Sequence, residues 1–198
     1  MANLCTSLIA EDINFACDDL VVRGLESDGI IINRDDIDFA ATTFDSTKPN
    51  VIKSLVLKSG KKGYEVQQQG ATPFTGTQSA LTVGTYRNTW QHTVSLVVLA
   101  NEPDVNNKII DGLANGTFVV ILRNVSKGAT GDGEYQVYGY LQGLKASEIT
   151  NEKYSEDTDG GWLVNLQESS SPRSALFFFD TDSATTATAY ASLLTTTP

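Results

Sequence analysis

The chain has 198 residues and a formal net charge of −10. This length suits one domain with arms, or at most two small domains, and no disulfide is needed to bury its core. The acidic balance argues against a protein that wraps nucleic acid, because phosphate neutralisation requires clustered lysine and arginine.

Residues 1–26 are predicted to form an N-terminal arm with at most a turn or two of helix, because their apolar side chains follow no clear period. Glu11 and Asp12 interrupt the apolar run and no basic start precedes it, so no signal peptide is predicted. Cys5 and Cys17 lie outside any CxxC pair, which argues against zinc and favours a reducing compartment. No run approaches the roughly 18 apolar residues of a membrane span.

A main domain over residues 27–180 is predicted to be mainly β. Apolar or alternating runs bounded by Gly, Pro, Asn and Ser predict strands at residues 30–32, 51–58, 64–66, 80–86, 90–100, 117–123, 134–144, 161–167 and 174–179. We expect two packed antiparallel sheets, in a sandwich or barrel, with one flanking helix.

Residues 90–100 and 117–123 are predicted to lie at the centre of this sheet system, because a strand without a polar face must be covered on both sides. Between them, residues 102–115 predict an amphipathic helix. Its apolar stripe consists of Val105, Ile109, Ile110 and Leu113.

Residues 67–77 form the most loop-like stretch of the chain and are longer than a connection between strands usually requires. Two interpretations are open at this stage. The loop either contacts another subunit or ring, or it is an ordinary surface loop with Phe74 folded back as a plug. The candidate contact residues are Gly70, Thr72, Pro73, Phe74 and Gly76.

No catalytic constellation is evident. His92 is the only histidine, and alternation places it within a strand, which favours a core or interface histidine over a catalytic base. The chain contains no GxSxG, HExxH or P-loop motif, and its acidic clusters lack the ligand spacing of a calcium loop. We therefore expect a protein that is not an enzyme, with no metal and no cofactor.

Tyr138 and Tyr140 lie two residues apart on a predicted strand and form a possible exposed aromatic face. Such a face could stack sugars or bases. A subunit interface explains the same two residues equally well.

The order of elements resembles the tail tube proteins of bacteriophages and the related tube proteins of contractile injection systems. The resemblance covers about residues 50–180. It is carried by the strand at 94–99, by NKIIDGLANGTFVVIL at 107–122, by YQVYGYLQGL at 135–144 and by GWLVNL at 161–166.

This resemblance implies a structural virion protein, made in the cytoplasm of a bacterial host, that forms hexameric rings stacked into a tail tube. DNA passes through such a tube without specific binding, and the further partners are tail sheath, tape-measure or other tail proteins. The family's contact segments correspond here to residues 67–77 and to a C-terminal arm over 181–198. The arm contacts are expected at Tyr190, Leu193 and Leu194.

One alternative function class remains. A β-sandwich of this kind also suits a binding or capsid-decorating module that recognises carbohydrate or another virion protein, using Tyr138, Tyr140 and Trp162.

Overall fold

The computed structural model describes residues 9, 12–13 and 21–196. Cys5, Cys17 and most of the predicted N-terminal arm lie outside the described residues. Two helices flank the strands: α1 runs from Pro103 to Asn115 and α2 is Ser183–Ser192. The strands are β1 Leu25–Asn33, β2 Thr43–Phe44, β3 Val51–Ser54, β4 Tyr64–Gln67, β5 Gln78–Thr82, β6 Thr89–Val98, β7 Phe118–Asn124, β8 Tyr135–Tyr138, β9 Lys145–Thr150, β10 Trp162–Ser171 and β11 Leu176–Phe178.

The strands form two sheets, which confirms the predicted mainly β architecture with a flanking helix. The seven-stranded sheet has the order β2-β3-β11-β8-β7-β1-β4, and the four-stranded sheet has the order β5-β6-β10-β9. One pairing differs from the antiparallel expectation, because β3 and β11 run parallel. A parallel pair needs a long crossover, and here most of the domain lies between the two strands.

β7 separates two hydrophobic cores. Its residues from Phe118 to Leu122 are all buried, and alternate side chains enter opposite cores. Val119 and Ile121 pack in the first core, which is covered by Ile37, Leu55, Leu57 and α2. Val120 and Leu122 pack in the second core, between the two sheets. The predicted central position of this strand is therefore what the structure shows.

α1 is not a regular α-helix. Its middle, Asn106–Ile110, is a π-helical segment, with the Asp111 N–H bonded to the Asn106 carbonyl. This wider turn changes the angular spacing of the side chains. Ile110 and Leu113 are buried as predicted, but Ile109 is turned outward and is 44% exposed.

The aromatic face predicted at Tyr138 and Tyr140 is wrong, because both side chains are buried. β8 ends at Tyr138, and Gly139 follows with a φ of +81°, which breaks the alternation of the strand. Tyr138 still follows the ordinary alternation of β8 and enters the core between the sheets, where burial raises the pKa of its phenol. Tyr140 enters the first core, and its ring lies edge-on to those of Phe39 and Phe44 at centroid distances of 5.3 and 5.5 Å.

The predicted contacts of the C-terminal arm also require correction, because this segment folds onto its own chain. Asp182 caps α2 by accepting a hydrogen bond from the Thr185 N–H at 2.8 Å. Tyr190 and Leu193 are then buried in the first core, and Leu194 packs against it partly buried. The Leu193 carbonyl accepts a hydrogen bond from the Gly63 N–H at 2.7 Å, which fixes the end of the helix to the sheet domain.

Replacing Leu193 by alanine tests this placement. We expect Leu193→Ala to lower the free energy of unfolding by about 2–4 kcal/mol, because it leaves a cavity in the first core. The exposed neighbour Ser192 provides the control, since Ser192→Ala should change the free energy of unfolding by less than about 0.5 kcal/mol. Urea unfolding followed by circular dichroism measures both. Wild-type stability in Leu193→Ala would contradict the placement.

Candidate assembly surfaces

The loop at residues 67–77 is anchored by its aromatic residue. Phe74 is only 1% exposed and fills the core between the sheets. Its N–H donates to Gln68 Oε1 at 2.7 Å, and its carbonyl accepts from the Thr77 N–H at 3.1 Å. Phe74 therefore leaves the set of candidate contact residues, because its ring is used inside its own chain. Gly70, Thr72 and Gly76 remain exposed, and Pro73 is half-buried.

The hairpin formed by β5 and β6 is the most exposed part of the main domain. β5 pairs with β6, from Gln78 opposite Thr93 to Thr82 opposite Thr89, and every residue of β5 is exposed. Residues 83–88 form the tip between the two strands. There Val83 is 80% exposed and Tyr86 is 100% exposed. The sequence placed Val83 and Tyr86 in a strand predicted at residues 80–86, but β5 ends at Thr82, so both residues lie in the tip.

The four-stranded sheet has one packed face and one polar face. Val94, Leu96, Val164 and Leu166 fill the core on its inner side. The residues that alternate with these along each strand direct their side chains to the outer side of the sheet. Most of these outer residues carry uncharged amides or hydroxyls, such as Gln78, Thr82, Gln91, Thr93, Asn165 and Gln167, and Ala80, Val97 and Leu163 are apolar positions among them. Lys145 and Glu148 add charge at the β9 edge, where Asn165 Nδ2 donates to Glu148 Oε2 at 3.0 Å.

Both edges of this sheet are open among the described residues. β5 lies at one edge and β9, which α1 contacts, at the other, and neither is paired with a further strand on its outer side. An edge strand presents unpaired N–H and C=O groups, which form a template for pairing with another chain. The two edges therefore offer a way to continue the sheet into further copies.

His92 lies in a polar cluster inside the domain, as the sequence indicated. Ser79 Oγ is 2.8 Å from His92 Nδ1, and Nε2 is 3.1 Å from the Arg173 carbonyl oxygen. Glu168 Oε2 is 4.0 Å from Nε2. These partners favour the tautomer in which Nε2–H donates to the carbonyl and Nδ1 accepts from the serine hydroxyl.

This cluster resembles a Ser-His-Glu arrangement, but its surroundings give a substrate no space. His92 and Glu168 are both buried, and Glu168 Oε1 is held by the Gln142 N–H at 2.6 Å. The gap beside them has no room for a water molecule. We interpret the cluster as a connection that ties β5 to β6 and to the chain after β10.

Scans against protein-family models, curated proteins and solved structures each found no match. Among residues 9, 12–13 and 21–196, no three His, Cys, Asp or Glu side chains are grouped so that they could hold a metal ion. No helix in the same residues has the length and apolar character needed to cross a membrane.

Replacing Phe74 separates the two interpretations of its loop. We expect Phe74→Ala to destabilise the monomer by about 3–5 kcal/mol, because the ring fills the core between the sheets. Thr75→Ala, an exposed neighbour in the same loop, should remain near wild-type stability. Thermal unfolding of both variants is the measurement. A Phe74→Ala protein as stable as wild type but defective in self-association would restore the contact interpretation.

Proposed function

We propose that this chain is a structural virion protein that associates with copies of itself into rings, and that the rings stack into a tail tube conducting DNA. The observation that carries the proposal is the four-stranded sheet. It has a packed inner face, a polar outer face and two open edges on opposite sides. The resemblance in the order of elements supplies the family and the number of six copies per ring.

Ring formation follows from the two edges. β5 of one copy can pair with β9 of the next, which makes the contact heterologous, and such contacts close into a ring when the rotation between copies is right. Each new pairing satisfies backbone groups that are open in the single chain. The result is a sheet that continues around the ring.

The polar outer face suits the inner wall of such a ring. Amide and hydroxyl side chains hydrogen-bond to water and provide no cluster of cations for phosphate groups. The net charge of −10 adds a general repulsion of polyanions. DNA would therefore pass along this wall without adhering to it. Tape-measure protein inside and sheath protein outside are the further partners in this proposal.

The alternative, a carbohydrate-binding or capsid-decorating module, receives less support. It depended mainly on an exposed pair of tyrosines, and Tyr138 and Tyr140 are both buried. Of its three candidate residues, Trp162 alone is partly accessible. A single half-buried aromatic residue is a small surface for stacking against a sugar.

Proline substitutions in β5 test the edge pairing. Consecutive residues of a strand direct their N–H groups to opposite sides, so Ala80→Pro and Leu81→Pro remove one inward and one outward N–H. We expect the variant that removes the N–H directed toward β6 to disrupt the hairpin. The variant that removes the N–H directed toward the open edge should keep the wild-type circular dichroism spectrum and lose ring formation. Electron microscopy and light scattering measure the loss of rings. A wild-type protein that stays monomeric at high concentration, without rings or filaments, would overturn the proposed function.

A further inference from the structure

A groove of about 550 Å³ opens between the two sheets at the C-terminal end of β6. β4, the outer strand of the seven-stranded sheet, forms one wall, and α1 forms another. The lining is largely apolar, with Ile31, Val66 and Leu96 inside and Leu99 and Ile109 exposed at the rim. The outward turn of Ile109 in the π-helical segment thus leaves an apolar side chain at the mouth of an open groove.

The exposed hairpin tip lies at the opposite end of the same strand. β6 has ten residues, so the tip at 83–88 and the groove are separated by roughly 30 Å. The tip of one chain therefore cannot reach the groove of the same chain. A projecting apolar tip and an apolar groove at opposite ends of one strand are arranged for contact between copies.

The charges of the two surfaces are also complementary. Arg87 is the only charged residue in the hairpin between Gln78 and Val98. Glu65, on β4, is the acidic residue that lines the groove. Its Oε1 accepts a hydrogen bond from Gln67 Nε2 at 2.8 Å, and within the described part of the chain neither Arg87 nor Glu65 has an ion-pair partner. Lys108, the cation of the groove, is already paired with Asp104 at 2.9 Å.

We propose that the hairpin tip of one copy docks in the groove of a second copy. Val83 and Tyr86 enter the apolar lining, and Arg87 lies against Glu65. Because the tip and the groove are at opposite ends of β6, the contact leaves a free tip and a free groove at the two ends of every pair. It therefore repeats along the direction of β6. This inference rests on the proposed function in that it assigns the contact between successive rings.

Cysteine cross-linking tests the contact directly. In a background with Cys5→Ser and Cys17→Ser, we expect a mixture of Tyr86→Cys and Ile109→Cys proteins to form a covalent dimer under mild oxidation. A mixture of Tyr86→Cys and Val21→Cys should give at least tenfold less covalent dimer, although Val21 is 85% exposed and thus more accessible than Ile109 at 44%. Equal yields from the two mixtures, or no dimer from the first, would overturn the proposal.

Charge reversal provides a second test of the contact. We expect Arg87→Glu and Glu65→Arg each to weaken self-association at least fivefold in sedimentation velocity, and the double variant to restore it at low salt. Val83→Ser should weaken it similarly, whereas Val21→Ser, with a comparably exposed valine, should not. Single reversals that associate like wild type would exclude the contact. Normal rings and tubes with failed cross-linking would reject this inference alone, whereas cross-linked chains without rings would reject the proposed function alone.

Discussion

The strand β7 imposes the main constraint on this molecule, because five consecutive residues from Phe118 to Leu122 are buried on both of its faces. A strand of this kind requires a covering layer on each side. Residues 37–57 and α2 supply one layer, and the four-stranded sheet supplies the other. The C-terminal segment and the tyrosines of the 135–140 region are consequently used to complete cores within the chain.

The four-stranded sheet is under a different constraint, and this is why we assign function to it. Only its inner face is needed to cover β7, so its outer face and both edges are free to interact with other molecules. Burial on one side selects for Val94, Leu96, Val164 and Leu166, while the outer side tolerates any residue that is compatible with a strand. Uncharged amides and hydroxyls at most outer positions suit a surface that remains wet.

The sequence was informative where burial is recorded in a local pattern. The apolar runs at 90–100 and 117–123 predicted the central strands, and the helix between them was predicted at nearly its observed position. Tyr138 and Tyr190 were misassigned, and the two interpretations of Phe74 stayed open, because the packing partners of these residues are distant in the chain. One glycine, Gly139 with positive φ, was enough to send Tyr138 and Tyr140 into different cores. The edges and the groove depend on which strands are neighbours, which no local pattern specifies.

The hairpin tip and the groove both expose apolar side chains, and in the proposed contact this exposure would connect folding to assembly. The tip of the hairpin lies beyond the paired strands, and because Val83 is 80% exposed and Tyr86 is 100% exposed, their side chains gain little from packing within the isolated chain. In the proposed contact, covering these side chains in the groove of a second copy would remove apolar area from water on both partners at once. The hairpin would then gain its order from the same contact that joins the copies. If the copies associate as proposed, this part of the structure would therefore be more stable in the assembly than in the single chain.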